Sequence, residues 1–185
     1  MIYIIDHNDS FTHNVVHQFE NFDDVCCDNF NDIKQSKLNK ANVVVFSPGP
    51  GSPKDYPMSS KIYKKYKGKK KIIGICLGFQ QILYNEKGKI IEQKKIYHGY
   101  QSKVRVISNY SLFKKNRIFK VGRYHSLKLK EPFYSKNFEI TMRCAISNVA
   151  MAIENNKDKI YGFQFHPESF LTENGNLLIK KILSI

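Results

Sequence analysis

A cysteine with a glycine on either side is the feature of this sequence that most directly indicates chemistry. Gly74 and Gly78 lie two residues before and after Cys76, the apolar run 71–75 precedes it, and a helical pattern over 79–84 follows. A nucleophile on a sharp turn between a strand and a helix needs small residues at these two positions, because the two elements cross there. The spacing therefore predicts a cysteine nucleophile, and the helix N-terminus would favour its thiolate form. A small buried cysteine is the alternative.

A histidine and a glutamate near the end of the sequence could supply the base that such a nucleophile needs. The run 160–165 is rich in aromatic and β-branched residues and predicts a strand. His166 and Glu168 follow it, so both side chains leave the same face of an extended backbone, and Pro167 keeps His166 out of a helix. This pattern is typical of a general base with its orienting carboxylate. A surface His–Glu pair in a loop would have the same sequence.

A loop of alternating proline and glycine follows another apolar strand, predicted over 42–46. The loop runs from Ser47 to Pro53 and contains Gly49 and Gly51. Proline fixes φ, whereas glycine leaves the backbone N–H groups unobstructed. We therefore expect the loop to present N–H donors to an oxyanion, each donor lowering the barrier by roughly 3–4 kcal/mol. An ordinary turn is the alternative.

Together these residues resemble the class I, triad-type glutamine amidotransferases. Within that class the sequence is most similar to the small subunits of anthranilate synthase and aminodeoxychorismate synthase. The similarity extends over essentially the whole chain. It is carried by Asp9–Thr12 with Asn14, Ser47–Pro53, the Cys76 turn, Arg123–Leu127, and His166–Ser169 with Thr172 and Gly175.

The resemblance implies a role for each matching residue. Cys76 would be the nucleophile, His166 the general base and then the acid, and Glu168 the residue that orients His166. The backbone N–H groups of Leu77 and Gly49 would form the oxyanion hole. Further contacts to the glutamine substrate would come from Gly51, Gln80, Ser126 and Leu127.

Two positions depart from the pattern of that family. Phe79 stands where the family usually has histidine, and Tyr100 stands where it often has lysine. Neither position carries the bond-breaking chemistry, so we expect any effect to fall on substrate contacts or on the partner interface.

The resemblance also implies a partner, a chorismate-binding large subunit that receives the ammonia. This would be component I of anthranilate synthase or of aminodeoxychorismate synthase, and the sequence does not separate the tryptophan pathway from the folate pathway. Two other functions stay open: a stand-alone γ-glutamyl hydrolase or peptidase with the same triad, and a non-catalytic regulatory subunit. We expect no cofactor and no metal.

Composition limits the other classes of function. The net charge of +14 would suit nucleic-acid binding, but the lysines are spread along the 185 residues without an aromatic-interleaved RNA signature. The four cysteines include no C-x-x-C pair, which argues against a zinc site or a disulfide framework. No apolar run reaches the roughly 20 residues of a membrane span. We therefore expect a cytoplasmic protein without nucleic-acid or membrane partners.

Alternating strand and helix patterns predict an α/β fold over most of the sequence. We expect one domain over residues 1–185, with a mostly parallel central sheet flanked by helices, which the resemblance makes flavodoxin-like. The segments 89–94, 102–107, 117–124 and 138–143 lack long helices between them and predict a small antiparallel sheet or an extension. A loop is expected between the short strand near 24–28 and the strand over 42–46, and Thr172 is expected to cap the last helix.

Overall fold

Eleven strands and five α-helices make up the computed structural model, which describes residues 1–185. In chain order they are β1 (Ile2–Asp6), α1 (Thr12–Glu20), β2 (Val25–Asn29), α2 (Gln35–Lys40), β3 (Val43–Phe46), α3 (Pro57–Tyr66), β4 (Lys71–Ile75), α4 (Leu77–Asn85), β5 (Ile90–Glu92), β6 (Tyr100–Val106), β7 (Ile118–Arg123), β8 (Leu127–Leu129), β9 (Glu139–Cys144), β10 (Ala150–Asn155), β11 (Ile160–Phe163) and α5 (Gly175–Leu183). None of the helices combines the length and the hydrophobicity that crossing a membrane requires.

The central sheet has nine strands in the order β2-β1-β3-β4-β11-β10-β9-β6-β7. The first five are parallel, and the remaining four continue the sheet in antiparallel fashion. A separate antiparallel pair is formed by β5 and β8. The predicted α/β class is confirmed. The middle of the chain forms both an extension and a small antiparallel sheet. Most of its strands extend the central sheet, and one short pair stands apart.

Alternating side chains of the parallel strands fill two hydrophobic cores, one on each face of the sheet. Ile4 and Val45 belong to one core, whereas their neighbours Ile5 and Val44 belong to the other. This division follows from the two-residue period of a strand, and burial on both faces explains why these strands are apolar throughout. Helices α1 and α5 cover the first core, and α3 and α4 cover the second.

The carboxyl ends of the parallel strands bring the chemically interesting loops to one edge of the sheet. Strands β3, β4 and β11 lie side by side in that order. The proline-glycine loop follows β3, Cys76 follows β4, and the segment with His166 follows β11. In parallel α/β sheets this edge is where ligands bind.

Two expectations about helices were wrong. A short helix, α2, occupies Gln35–Lys40, where we predicted only a loop. Helix α5 has Asn174 at its N-cap, and Thr172 does not cap it. Instead, Thr172 Oγ1 accepts a hydrogen bond from Gly122 N–H and donates one to the carbonyl oxygen of His166. Thr172 thus ties the His166 segment to β7, a long-range role that local sequence does not reveal.

The crossing of β3 and α4 generates a prediction for Gly78. A Cβ at this position would lie 2.1 Å from the carbonyl oxygen of Phe46. We expect Gly78→Ala to lower the free energy of unfolding by about 3 kcal/mol, because the helix must move away from the sheet. Urea unfolding measures this change.

Gly68→Asn is the matched control for that substitution. Gly68 has a positive φ that asparagine tolerates, and the nearest atom to its added Cβ is 3.7 Å away. An unfolding free energy of Gly78→Ala equal to that of the control would contradict the packing argument.

Candidate active site

Cys76 occupies a strained turn between β4 and α4. Its φ is 51° and its ψ is −99°, a backbone conformation that residues other than glycine rarely adopt. The Cys76 N–H donates to the carbonyl oxygen of Phe163 at 2.7 Å, which fixes the turn against β11. A Cβ on Gly74 would lie 2.4 Å from the carbonyl oxygen of Gly78. The two glycines are therefore required by close backbone contact, as the sequence predicted.

His166 and Glu168 form a buried pair beside this turn. Nδ1 of His166 lies 2.6 Å from Oε1 of Glu168, and both side chains are almost fully excluded from solvent. Because a carboxylate can only accept, Nδ1 carries the proton that it donates. Nε2 is then the free nitrogen, and it has no hydrogen-bond partner within the protein.

Charges next to His166 favour its protonated form. Burial alone would lower the pKa of the imidazole, but the negative charges of Glu168 and of a Cys76 thiolate raise it well above the ordinary value of 6.5. The structure thus brings Cys76 close to His166 although the two residues are distant in sequence. Aromatic rings close the site on another side, since the ring centroids of Phe11 and Tyr124 lie 5.4 Å and 4.9 Å from that of His166.

A small cavity opens in front of the Cys76 thiol. Its volume is about 150 Å³, below the roughly 300–1,000 Å³ typical of sites for drug-sized ligands. Its wall contains every residue that the sequence predicted to contact glutamine or an oxyanion, together with Pro50, Tyr124 and His125. Those predicted residues are Gly49, Gly51, Leu77, Gln80, Ser126 and Leu127.

Two backbone N–H groups at the cavity are available as donors. The Gly49 N–H makes no hydrogen bond to another backbone group, and Leu77 begins α4, where the N–H groups have no intrahelical acceptor. Gly49 cannot be replaced without displacing the loop, because a Cβ there would lie 2.5 Å from Cβ of His7. Close contact between the loop and His7 therefore holds the Gly49 N–H in place.

His7 lies beneath the proline-glycine loop and holds it. Its ring nitrogens Nδ1 and Nε2 lie 3.2 Å from Ser47 Oγ and 2.8 Å from Ser59 Oγ, and its backbone N–H donates to Ser47 Oγ. Burial lowers the pKa of His7 to about 4, so it is neutral near pH 7. Tyr56 adds a second support, because its hydroxyl donates to the carbonyl oxygen of Pro50 at 2.9 Å. Sequence reasoning missed both supports.

Gln164 is a further residue that sequence reasoning missed. It is fully buried behind Cys76, and its Nε2 lies 3.7 Å from the Cys76 sulfur. Gln80 Nε2 donates to Oε1 of Gln164 at 3.1 Å. A polar residue between two phenylalanines, two positions before His166, was the signal that could have identified it.

Comparison with known proteins places this chain in a family. The sequence pattern described as "Glutamine amidotransferase class-I" matches residues 3–184. The chain belongs to the class-I glutamine amidotransferase family. Two relatives named "Anthranilate synthase component 2", from Lactococcus lactis and Helicobacter pylori, are 39% and 36% identical to this amidotransferase. The alignments cover 100% and 97% of this chain and 94% of each relative.

A solved structure supports the same assignment at the level of the fold. The crystal structure of a glutamine amidotransferase from Thermotoga maritima aligns with a TM-score of 0.68 at 17% sequence identity. The alignment covers 90% of this amidotransferase and 75% of that chain.

The two departures from the family pattern lie in different surroundings. Phe79 is fully buried on α4 and packs in the second core, whereas Tyr100 is about half exposed at the start of β6. Phe79 therefore acts through packing, and Tyr100 is available to contact another molecule. No three His, Cys, Asp or Glu side chains of this amidotransferase are grouped so that they could hold a metal ion.

The His166–Glu168 pair generates a prediction about titration. Glu168→Gln removes the negative charge that favours the imidazolium and leaves burial, which favours the neutral ring. We expect the pKa of His166 to fall, because the remaining effect of burial disfavours the imidazolium. NMR titration of the His166 ring measures the change.

Glu20→Gln is the matched control for this measurement, since Glu20 lies 4.0 Å from His17 in an exposed pair on α1. It should leave the titration of His166 unchanged. An unaltered His166 pKa in Glu168→Gln would show that the carboxylate does not control the imidazole.

Proposed function

We propose that this amidotransferase is the glutaminase subunit of a chorismate-dependent synthase and acts as a single domain over residues 1–185. The observation that carries the proposal is the meeting of Cys76, His166 and Glu168 beside a cavity of about 150 Å³. A thiol, an imidazole and an orienting carboxylate are the parts of a nucleophilic triad. The small cavity suits one amino acid.

The reaction would begin with attack of the Cys76 thiolate on the side-chain amide carbon of glutamine. The carbonyl π electrons move to oxygen, and the N–H groups of Gly49 and Leu77 are placed to stabilise the resulting oxyanion. When the tetrahedral intermediate collapses, the C–N bond breaks and His166 Nε2–H transfers its proton to the departing amide nitrogen, which leaves as ammonia. The product on the enzyme is a γ-glutamyl thioester.

Hydrolysis of the thioester would complete the cycle. Neutral His166 removes a proton from water, the hydroxide attacks the thioester carbon, and the C–S bond breaks to release glutamate and the thiolate. Glu168 holds Nδ1 throughout, which keeps Nε2 directed towards the sulfur and the water. The walls at Gln80, Ser126 and Leu127 would hold the amino-acid end of glutamine.

The fate of ammonia implies a partner subunit. Free ammonia is protonated in bulk water and loses its nucleophilicity, so it must reach an acceptor along a protected path. The cavity is too small to hold both glutamine and a second substrate. The relatives named anthranilate synthase component 2 support a component I partner that binds chorismate. Component I of aminodeoxychorismate synthase is the other partner with the same acceptor.

Cys76→Ser tests the proposed nucleophile. We expect glutaminase activity to fall at least about 10³-fold, because a hydroxyl is a far weaker nucleophile than a thiolate at neutral pH. Release of glutamate from glutamine, with the partner present, measures the loss.

Cys27→Ser is the matched control, since Cys27 is exposed on β2 and distant from the cavity, and it should retain activity. Substantial turnover in purified, folded Cys76→Ser would overturn the assignment.

A second experiment tests the partner. With candidate component I subunits added separately, we expect glutamine hydrolysis to rise at least about tenfold with the true partner, and chorismate to be converted to anthranilate. Formation of aminodeoxychorismate would assign the folate branch instead. Full-rate hydrolysis by the chain alone would identify a stand-alone γ-glutamyl hydrolase, and no hydrolysis with any partner would identify a regulatory subunit.

A further inference from the structure

We infer that Gln164 is a positioning residue that directs an amide N–H at the sulfur of Cys76. The inference rests on the proposed role of Cys76 as nucleophile. Gln164 is fully buried and is absent from the wall of the cavity, so it can act only through its neighbours. Its Nε2 lies 3.7 Å from Sγ, within the range of a hydrogen bond to sulfur.

The orientation of the Gln164 amide is fixed by its other partner. An amide can turn either its oxygen or its nitrogen towards the sulfur, and only the nitrogen is a donor. Nε2 of Gln80 donates to Oε1 of Gln164 at 3.1 Å, which holds the oxygen away from Cys76. Gln80 is itself oriented, because its Nε2 faces the carbonyl oxygen of Leu127 at 3.5 Å.

The Leu127 carbonyl is held by a histidine in one tautomer. Nε of the fully buried Arg123 donates to Nε2 of His125 at 3.0 Å. Because a guanidinium cannot accept, Nε2 of His125 is the acceptor and Nδ1 carries the proton. Nδ1 lies 2.8 Å from the oxygen of Leu127 and donates to it, while the nearby Gln93 amide donates to the carbonyl oxygen of His125.

These bonds form one chain in which every donor is determined. It runs from the Arg123 and His125 pair through the carbonyl of Leu127 to Gln80, Gln164 and the Cys76 sulfur. Its last link places a donor on the side of the sulfur away from the cavity. A donated hydrogen bond stabilises a thiolate more than a thiol. This series of hydrogen bonds therefore favours the thiolate form of Cys76 and fixes the direction of the sulfur lone pairs. The wall residues Gln80 and Leu127 thereby contact both the substrate cavity and the support of the nucleophile.

Other titratable groups near Cys76 must be separated from this effect. They are His166 and Glu168 on the loop after β11, Tyr124 and His125 across the cavity, and His7 beneath Gly49. Burial lowers the pKa of His125 to about 3 and of His7 to about 4, so both stay neutral above pH 5. Substitution of Gln164 leaves all of these groups in place.

The test is the pH dependence of Cys76 alkylation by iodoacetamide, followed by mass spectrometry of each cysteine-containing peptide. The protein is used alone, without glutamine or a partner. Gln164→Met keeps the length of the side chain and removes the donor. Gln164→Leu also removes the donor and adds no charge. We expect the midpoint of alkylation to rise by about one pH unit in both variants. In a separate glutaminase assay with the partner present, we expect kcat to fall more than KM rises.

Gln81→Met is the matched control. Gln81 lies on α4 and is fully buried, as Gln164 is, but its amide pairs with Ser60 on α3. It should leave the midpoint unchanged. Thermal unfolding shows which variants are folded, and Gln164→Leu carries the test if Gln164→Met is not. Unchanged midpoints in the folded Gln164 variants, with Cys76 still labelled, would overturn the inference. If wild-type Cys76 resists both iodoacetamide and a glutamine-analogue electrophile, the proposed nucleophile itself fails.

Discussion

The strained backbone at Cys76 is the constraint on which the site depends. A side chain at φ 51° and ψ −99° costs on the order of 1–3 kcal/mol relative to a relaxed conformation. The surrounding structure offsets this cost, because the Cys76 N–H bonds to Phe163 and because Gly74 and Gly78 let β4, α4 and β3 approach closely. The strain is useful, since this conformation places the sulfur at the head of α4 and at the mouth of the cavity. On the other side of β4, parallel pairing with β11 brings the His166 segment to the same edge of the sheet.

The sequence was sufficient for those parts of the site that depend on local geometry. Backbone sterics explain why glycines stand at fixed distances from Cys76 and why a proline separates His166 from Glu168. An apolar strand before each loop is likewise visible in the local sequence. Such patterns predicted the turn at Cys76, the pairing of His166 with Glu168 and the mostly parallel sheet. The proline-glycine loop was recognised for the same reason, since its residues restrict φ without reference to the rest of the fold.

The supporting residues could not be found in this way, because their partners are distant in sequence. Thr172 bonds to Gly122 and to the His166 carbonyl, although its position before α5 suggested a cap. Arg123 is a buried cation with no carboxylate partner, and its nearest groups are His125, Cys144 and the ring of Tyr97. A buried guanidinium without a carboxylate partner depends on polar and aromatic neighbours, and sequence position alone cannot reveal such a cluster.

Part of the positive charge of the chain lies at the sheet edge opposite to the candidate site. Lys69, Lys70, Lys157 and Lys159 line a groove at the amino ends of the strands, at the sheet edge opposite to Cys76. Lys71 is buried there and donates to carbonyl oxygens at the end of α5, which neutralises part of the helix dipole. A cation next to His166 would oppose imidazolium formation, whereas at this distance solvent and salt screen the lysines. These lysines therefore lie away from the chemistry, whereas His166, Glu168 and oriented amides act directly at the sulfur.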